Sequence, residues 1–238
     1  MPLAGRSAVI TGASRGIGRA IAVALAESGV RVFLLARGAS DLMSTAQAIG
    51  PRATPMRCDV TEAGAVERVA TEIGVALNGA APDIIVNNAG LFPLGALDSM
   101  TVEDFARTID VNLVAPFRVL RAFLPTLRAR GSGHVITIGS VADRTVFAGN
   151  GAYSASKFGQ RAMQEVLRAE LRGTGVRSSL ISPAATDTPI WDAIDPDNTP
   201  GFPTRARMLR ADDVAEAVVW ALTRPSHVNV DEVRLSSQ

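Results

Sequence analysis

Residues 11–18 of the chain read TGASRGIG and follow directly on the apolar run AVI at residues 8–10. They lead without a break into an alanine-rich stretch of helical period, which is the pattern of a strand, a tight turn and a helix. In such a unit Gly12 can make the turn, Gly16 lets the backbone approach a pyrophosphate, and Gly18 allows the helix to pack closely on the strand. The helix N-terminus then offers free N–H groups to phosphate. The segment therefore predicts a dinucleotide-binding βα unit.

The rest of the chain alternates between apolar runs rich in β-branched residues and longer stretches of helical period. Such alternation indicates βαβ units, so we predict a doubly wound α/β domain with a parallel sheet and helices on both faces. Strands are expected at Ser7–Ile10, Val30–Ala36, Thr54–Cys58, Asp83–Val86, His134–Gly139, Val176–Ile181 and Glu232–Leu235. Helices are expected at Gly16–Glu27, Asp41–Ile49, Ala63–Leu77, Val102–Arg130, Ala152–Leu171 and Asp212–Leu222.

Length and composition narrow the class of protein. The 238 residues suit one large α/β domain, residues 1–238, and a hydrophobic fraction of 47% excludes a disordered chain. The 24 basic and 23 acidic side chains are interspersed, so there is no basic stripe to indicate nucleic-acid binding. The sequence shows no signal-like start and no apolar run long enough to span a bilayer, and Cys58, His134 and His227 form no metal-ligand cluster. We therefore expect a cytoplasmic protein that uses neither a metal nor a membrane.

The chain contains a single lysine, Lys157, and a single tyrosine, Tyr153, four residues before it. All the other residues among the 24 lysines and arginines are arginine, which cannot replace lysine where a compact point charge is required. On a helix, residues i and i+4 share one face, so the two side chains are expected to be neighbours. An isolated pair at this spacing is usually a surface pair, and its meaning here depends on the motifs around it.

Together these motifs resemble the short-chain dehydrogenase/reductase family. In chain order they are TGASRGIG with its G-x-x-x-G-x-G spacing, Asp59-Val60, NNAG at residues 87–90, Asn112, Ser140 and YSASK at residues 153–157. The resemblance extends over nearly the whole chain and indicates the compact branch of the family. It implies a Rossmann fold and an enzyme that transfers hydride between a nicotinamide cofactor and a carbonyl or alcohol.

The resemblance also implies a set of cofactor-binding residues. In the family, the positions of Asp59 and Val60 contact the adenine ring, and those of residues 87–90 line the ribose and hold the centre of the sheet. For Asp59 the alternative is a helix cap before residues 61–62, because aspartate strongly favours caps. The full cofactor set that we expect is Gly12, Ser14, Arg15, Gly16, Ile17, Gly18, Arg37, Asp59, Val60, Asn87, Ala89, Gly90, Tyr153, Lys157, Pro183, Thr186 and Thr188.

The end of the second predicted strand indicates which form of the cofactor binds. NAD-binding folds carry an acidic residue there for the ribose 2′-OH, whereas an arginine suits a 2′-phosphate. This chain has Ala36-Arg37 at that point, and Arg15 in the glycine-rich turn offers a second guanidinium to the same region. We predict NADP(H) rather than NAD(H). The alternative is that either arginine is only a solvated surface charge.

Ser140 lies thirteen residues before Tyr153, at the carboxyl end of a predicted strand, where open parallel sheets bind their ligands. Reduction of a carbonyl places negative charge on oxygen, so it needs an acid that supplies a proton and a donor that polarises the C=O bond. We predict Tyr153 as the acid and Ser140 as the donor. Lys157 and the oxidised nicotinamide are expected to lower the tyrosine pKa from its usual value of about 10. The resemblance adds that Lys157 hydrogen-bonds the nicotinamide ribose.

Asn112 precedes Pro116 by four residues within a predicted helix. Its carbonyl is left without the usual i+4 partner, because proline has no N–H. In the family, the matching asparagine lies in a distorted helix, binds a water through its main chain and connects the lysine to solvent as a proton relay. The alternative is a helix kink that holds a water and has no catalytic meaning.

The stretch from residue 183 to residue 209 fits neither period and contains five prolines. We expect a substrate-binding loop at about residues 184–209, because a loop of this length in a compact domain is usually functional; the alternative is a disordered insertion. Candidate pocket residues, which equally suit packing, are Phe147, Trp191, Ile194 and Phe202. Ala184 stands where the family has glycine, so the implied carboxamide contacts of Thr186 and Thr188 depend on whether a positive φ is needed there.

We therefore predict an NADP(H)-dependent oxidoreductase that interconverts a carbonyl and an alcohol, with Tyr153 as general acid and base. The alternative is a cofactor-binding regulator or scaffold without turnover, since a fold does not imply a function. The substrate stays open among 3-oxoacyl thioesters, xenobiotic ketones, sugars and steroids. The resemblance also implies a homodimer or homotetramer that pairs the two long helices, and apolar positions in both agree with this.

Overall fold

Seven parallel strands form the main sheet of the computed structural model, which describes residues 2–238. The strands of the chain are β1 (Ser7–Thr11), β2 (Arg31–Ala36), β3 (Ala53–Arg57), β4 (Ile84–Asn87), β5 (Gly133–Ile138), β6 (Val176–Pro183), β7 (Thr186–Asp187), β8 (Leu209–Arg210) and β9 (Glu232–Leu235). The helices are α1 (Gly16–Glu27), α2 (Ala39–Ile49), α3 (Ala65–Ala76), α4 (Val102–Ile109), α5 (Ala115–Arg130), α6 (Gly151–Leu171) and α7 (Ala211–Thr223). The main sheet has the order β3-β2-β1-β4-β5-β6-β9, and β7 pairs with β8 in a separate two-stranded sheet.

Successive side chains of each strand enter two different cores, because side chains alternate across a sheet. In β1, Ala8 and Ile10 pack into the core under α1, α2 and α7, whereas Val9 packs into the core under α3, α5 and α6. Both faces are therefore buried, which explains why the strands read as continuous apolar runs. The predicted doubly wound fold is confirmed. No helix within residues 2–238 has the length and apolar content needed to cross a membrane.

The direction of the chain across the sheet reverses between β1 and β4. From β1 the chain adds β2 and β3 on one side, and then returns to add β4, β5, β6 and β9 on the other. In an open α/β sheet, such a switch point leaves a crevice at the carboxyl ends of the two strands, because the following connections leave in opposite directions.

The predicted helix over residues 102–130 is divided in the structure. Between α4 and α5, residues Asp110–Val114 form a π-helical turn in which the Ala115 N–H donates to the Asp110 carbonyl. The physical reason lies in Pro116, whose missing N–H removes the normal i+4 partner of the Asn112 carbonyl. The other predicted helices and strands are present, with ends that differ by at most two residues.

The segment 184–209 is folded rather than structureless. Its ends are joined by β7 and β8, and short 3-10 turns form at Pro189–Trp191 and Arg205–Arg207. Arg205 bonds to Asp187 at 2.6 Å and to Asp192 at 2.8 Å. Among residues 2–238, the non-glycine residues with a positive φ are Asn78 and Asp195, so Ala184 does not need the backbone conformation that favours glycine.

Candidate active site

A cleft of about 1430 Å³ opens where the strands β1 to β6 end. Its volume exceeds the range of up to about 1,000 Å³ that a single drug-sized ligand fills, so it has room for a cofactor and a substrate together. The predicted site residues that line it are Gly12, Ser14, Arg15, Gly16, Ile17, Arg37, Asp59, Val60, Ala89, Gly90, Ser140, Tyr153, Lys157, Pro183, Thr186 and Thr188. Gly18, Asn87 and Asn112 lie behind this lining.

The glycine-rich turn has the geometry that its sequence predicts. Gly12 and Gly16 have φ angles of +66° and +54°, a region that glycine adopts without strain. A Cβ on Gly18 would lie 2.3 Å from the Gly12 carbonyl oxygen, so α1 packs directly on the turn and only glycine fits. No side chain of residues 2–238 caps α1 at Arg15, which leaves its first N–H groups available to an anion. This backbone cradle fits the pyrophosphate of a dinucleotide.

Two arginines and two carboxylates line the end of the cleft beside β2 and β3. Arg15 and Arg37 are the predicted pair, and Asp41 and Asp59 bring negative charge to the same end. Asp59 accepts hydrogen bonds from Thr61 at 3.0 Å and 2.6 Å. Burial raises the pKa of Asp59, but these bonds and the charge of Arg37 outweigh it, and the net pKa is lowered.

The alternative role of Asp59 as a helix cap is wrong, because α3 begins only at Ala65. The bond from the Thr61 N–H to the Asp59 carboxylate instead closes a local turn beside the cleft. These hydrogen bonds favour the ionised form of the Asp59 carboxylate beside the cleft.

Ser140, Tyr153 and Lys157 come together beside the glycine-rich turn. Ser140 lies two residues after the end of β5, and its hydroxyl accepts from the Ala142 N–H at 3.1 Å and is hydrogen-bonded to Tyr153. Tyr153 and Lys157 both project from α6 into the cleft. The Lys157 ammonium donates to the carbonyl of Ile138 at 2.9 Å, so it is anchored to the end of β5.

The pKa values of the tyrosine and the lysine move apart from each other. The pKa of Tyr153 is raised to about 12, mainly by burial. The hydrogen bond with Ser140 acts in the opposite direction, and the charge of Asp143 adds to the rise. Burial lowers the pKa of Lys157 to about 8, against a raising contribution from Asp143. The expected lowering of the tyrosine pKa is therefore wrong for the chain by itself, because the loss of water around the phenol dominates.

Asp143 is a fully buried carboxylate that sequence reasoning missed. It lies three residues after Ser140, and it accepts hydrogen bonds from Ser182 at 2.6 Å and from Arg144 at 2.7 Å. Arg144 in turn pairs with Glu232 on β9. The carboxylate thus ties the turn after β5 to the ends of β6 and β9, and it is a negative charge close to the catalytic candidates.

Asn112 supports the cleft from behind through its side chain. Its Oδ1 accepts from the Leu91 N–H at 2.8 Å, and its Nδ2 donates to the Leu91 carbonyl at 2.9 Å and to Ser156 Oγ at 3.0 Å. Leu91 lines the cleft, and Ser156 precedes Lys157 on α6. The buried amide therefore joins the segment after β4 to the helix that carries the catalytic candidates.

The comparison with known families agrees with this geometry. A family model described as short chain dehydrogenase matches residues 6–199. The chain belongs to this family. The match covers the glycine-rich turn, the four catalytic candidates Asn112, Ser140, Tyr153 and Lys157, and most of the segment 184–209 of this short-chain dehydrogenase.

Curated relatives of this short-chain dehydrogenase include two that differ greatly in length. An uncharacterized oxidoreductase of Staphylococcus epidermidis is 37% identical over 228 residues, which cover 96% of this chain and 95% of the relative. The glycine betaine reductase ATRR of Emericella nidulans is 37% identical over 242 residues, which cover 98% of this chain. The chain spans only 19% of the length of that reductase.

A solved short-chain dehydrogenase has the same architecture over the full chain. The structure of a metagenomic short-chain oxidoreductase in complex with NADP superimposes with a TM-score of 0.85 at 33% identity, covering 100% of this chain and 99% of the other. The two-layered helical packing around the sheet is therefore shared along the whole length of this short-chain dehydrogenase.

Thr11 and Asn88 support the glycine-rich turn of this short-chain dehydrogenase. Both lie in motifs that carried the resemblance, but neither was in the predicted set of cofactor-binding residues. The Thr11 hydroxyl accepts from the N–H groups of Asn88 and Ala89, at 3.0 Å and 3.1 Å. The Asn88 side chain donates to the carbonyls of Thr11 and Gly12. A polar residue that directly follows a buried central strand was the available signal. Asn87, by contrast, is buried in β4, and no hydrogen-bond partner for its side-chain amide is found within residues 2–238.

Proposed function

We propose that this short-chain dehydrogenase interconverts a carbonyl and an alcohol with NADP(H), with Tyr153 as the general acid and base. The observation that carries the proposal is the meeting of Ser140, Tyr153 and Lys157 in the cleft that begins at the glycine-rich turn. When bound, NADPH would supply a hydride to the carbonyl carbon, and the cofactor would be left as NADP+. The π electron pair of the C=O bond moves to oxygen, which takes a proton from the Tyr153 hydroxyl.

Each of the three side chains, Ser140, Tyr153 and Lys157, has a different role in the transfer of a proton to the substrate oxygen. Tyr153 is protonated at neutral pH, which lies well below both the usual phenol pKa of 10 and its raised value of about 12, so it has a proton to donate in the direction of reduction. Ser140, which is hydrogen-bonded to that phenol, can donate to the same oxygen and polarise the C=O bond. The pKa of Lys157 is about 8, so the side chain is mostly charged at neutral pH. A nearby positive charge favours the tyrosinate that proton transfer leaves behind.

Two further roles implied by the family belong to the proposal. Lys157 also holds the nicotinamide ribose hydroxyls, and the main-chain carbonyl of Asn112 anchors a water that returns protons from solvent. The π turn at Asp110–Val114 supports the second role, because Pro116 has no N–H for the Asn112 carbonyl.

The preference for NADP(H) rests on the two arginines at the end of the cleft beside β2 and β3. Arg15 and Arg37 both line it, and guanidinium groups bind phosphate through paired hydrogen bonds. Asp41 and Asp59 line the same end and oppose this attraction, so the preference depends on paired hydrogen bonds from the two guanidinium groups rather than on net charge. Comparison of NADPH and NADH as substrates tests the preference, and equal values of kcat/KM would contradict it.

We also propose that the chain works as a homodimer or homotetramer in the cytoplasm. Exposed apolar side chains on α5 and α6, among them Phe117, Phe158 and Val166, support assembly through these helices. The only cysteine, Cys58, is buried and unpaired, which agrees with a reducing compartment. Light scattering tests the assembly, since a monomer at micromolar concentration would contradict it, and cell fractionation tests the location.

The function as a whole is tested by oxidation of NADPH with a panel of ketones and aldehydes, and by reduction of NADP+ with alcohols. Turnover that is lost in Tyr153→Phe, while NADPH still binds, supports the proposal. Binding of NADPH without turnover of any panel member would favour a cofactor-binding regulator instead.

A further inference from the structure

The part of the cleft beyond Tyr153 has an apolar wall. We call this part the substrate arm, and its main side chains are Phe92, Val146, Phe147, Trp191, Phe202 and Pro203. They come from the segment after β4, the segment before α6 and the segment 184–209. Three separate stretches of chain thus contribute apolar side chains to one wall.

The charged side chains that line the cleft lie elsewhere. Within residues 2–238 they are Arg15, Arg37, Asp41, Asp59 and Lys157. The first four lie at the cofactor end, and the ammonium of Lys157 is already bonded to Ile138 and Gln160. An ionised group placed in the substrate arm would therefore lose water without gaining a partner, which is strongly unfavourable.

Aromatic rings extend from the tyrosine along the arm. Phe92 meets Tyr153 edge to face, with ring centres 4.7 Å apart. Phe92 also meets Trp191 at 5.1 Å, and Trp191 meets Phe202 at 5.7 Å. The indole N–H of Trp191 donates to the Thr186 carbonyl at 3.1 Å, so this wall is held in place rather than free to rotate. Such edge-to-face geometry is the arrangement that aromatic rings prefer.

The mouth of the arm exposes apolar surface that a ligand could cover. Val146 is 70% exposed, Phe147 is 54% exposed and Leu94 is 36% exposed. Removal of such surface from water favours the binding of an apolar group. The polar side chains of the arm, Ser140, Asn150 and Tyr153, carry no formal charge at neutral pH.

We propose that the substrate arm takes an uncharged carbonyl compound with an aromatic ring or a similarly broad apolar group beside the C=O. The carbonyl oxygen lies at Tyr153 and Ser140, and the ring packs against Phe92 and Trp191. This inference rests on the proposed function, because it assumes that the cleft reduces a carbonyl. It disfavours sugars and anionic acyl thioesters as substrates.

Four ketones test the inference with NADPH. They are acetophenone, its para-carboxamide, its para-carboxylate and butanone. The carboxamide has the shape of the carboxylate without its charge, and butanone lacks the ring. We expect kcat/KM for acetophenone and the carboxamide to exceed that for the other two by roughly tenfold or more, the effect of burying one ring or one unpaired charge. A carboxylate or butanone that reacts as well as acetophenone would overturn the inference.

A binding measurement separates this inference from the proposed function. The chain has two tryptophans, and Trp220→Phe removes the one on α7, which leaves Trp191 as the only indole. We expect acetophenone, but not its carboxylate, to quench Trp191 fluorescence to saturation in the presence of NADP+. Quenching without turnover counts against the proposed function alone. Turnover of butanone without quenching by acetophenone counts against the substrate arm alone.

A matched pair of variants tests the position of the arm. Val146 lies at its mouth and is 70% exposed, and Val75 lies on α3 outside the cleft and is 76% exposed. We expect Val146→Lys to raise kcat/KM for the carboxylate relative to acetophenone by roughly two- to fivefold, the strength of an exposed ion pair. Val75→Lys should leave that ratio unchanged. An unchanged ratio in Val146→Lys, or an equal change in both variants, would overturn the placement of the substrate.

Discussion

The ammonium of Lys157 lies 5.6 Å from the centre of the Tyr153 ring, with both residues on the same face of α6. Both polar groups lie in a water-poor environment, where electrostatic effects are stronger than in water. The same environment makes each charge costly, so it raises the pKa of the acid and lowers the pKa of the base. Because each residue is the only one of its type in the chain, both titrations can be followed without interference.

Lys157 is expected to lose its proton at an unusually low pH. Its pKa falls from 10.5 to about 8 in the folded chain, because burial disfavours the ammonium. Magnetic resonance of isotope-labelled lysine gives one side-chain signal, whose titration should centre near this value. The unfolded chain still binds the proton between about pH 8 and pH 10.5, so the free energy of unfolding from this group should rise with pH there. A midpoint above pH 10 would contradict the burial of the ammonium.

Tyr153 is expected to resist ionisation in the protein alone. Burial raises its pKa from 10.0 to about 12, so the ultraviolet band of tyrosinate should appear only at strongly alkaline pH. Since the unfolded chain ionises first, this group should lower the stability between about pH 10 and pH 12. Addition of NADP+ should shift the band to lower pH, because the nicotinamide adds positive charge. A titration that begins near pH 9 in the protein alone would be inconsistent with this structure.

Tyr153→Phe should abolish most turnover and leave the fold intact. Only the phenolic oxygen is removed, so kcat for ketone reduction should fall by roughly 10²–10⁴, the usual contribution of a general acid. Steady-state kinetics measure the loss, and the affinity for NADPH serves as the control because it should change little. Near-complete retention of kcat would exclude Tyr153 as the proton donor.

Arg37→Ala should weaken NADPH more than NADH. Arg37 lines the cofactor end of the cleft, and loss of a charge-assisted hydrogen bond of about 1.5–3 kcal/mol corresponds to a rise in KM of roughly tenfold or more. Arg52→Ala is the matched control, since Arg52 is also exposed but precedes β3, at the amino ends of the strands and outside the cleft. An equal effect of Arg37→Ala on both cofactors would show that Arg37 does not meet a 2′-phosphate.

Asp143→Asn should lower the pKa of both Tyr153 and Lys157. The carboxylate raises both values because it disfavours the tyrosinate and favours the ammonium. The same two titrations measure the change, and Asp98→Asn, an exposed carboxylate outside the cleft, is the control. Unchanged titrations in Asp143→Asn would mean that its charge does not reach the pair.

Local patterns were sufficient to predict the fold and to nominate catalytic candidates that the structure brings together. The apolar runs indicate strands that are buried on both faces. Gly12, Gly16 and Gly18 indicate a tight turn in which other side chains do not fit. The i, i+4 spacing of Tyr153 and Lys157 reports a shared face, since a helix repeats every 3.6 residues. Each of these inferences depends on neighbours in the chain, which is why sequence alone carried them.

Contacts between distant segments could not be predicted in the same way. The bonds of Asn112 to Leu91 and of Asp143 to Ser182 join residues far apart in the chain, and no local period marks them. From Pro116 the sequence predicted a free carbonyl at Asn112, but it did not predict the π turn at Asp110–Val114, because such a turn also depends on how the helix packs.

By itself the sequence determined the order of strands and helices, the glycine-rich turn and the spacing of the catalytic candidates, because backbone conformation and side-chain period act over a few residues. The tertiary structure alone decided which groups lose water and which rings meet. It made Tyr153 a weaker acid rather than a stronger one, and it brought Phe92, Trp191 and Phe202 into one wall. Desolvation and packing depend on all the atoms around a group, and those atoms come from every part of the chain.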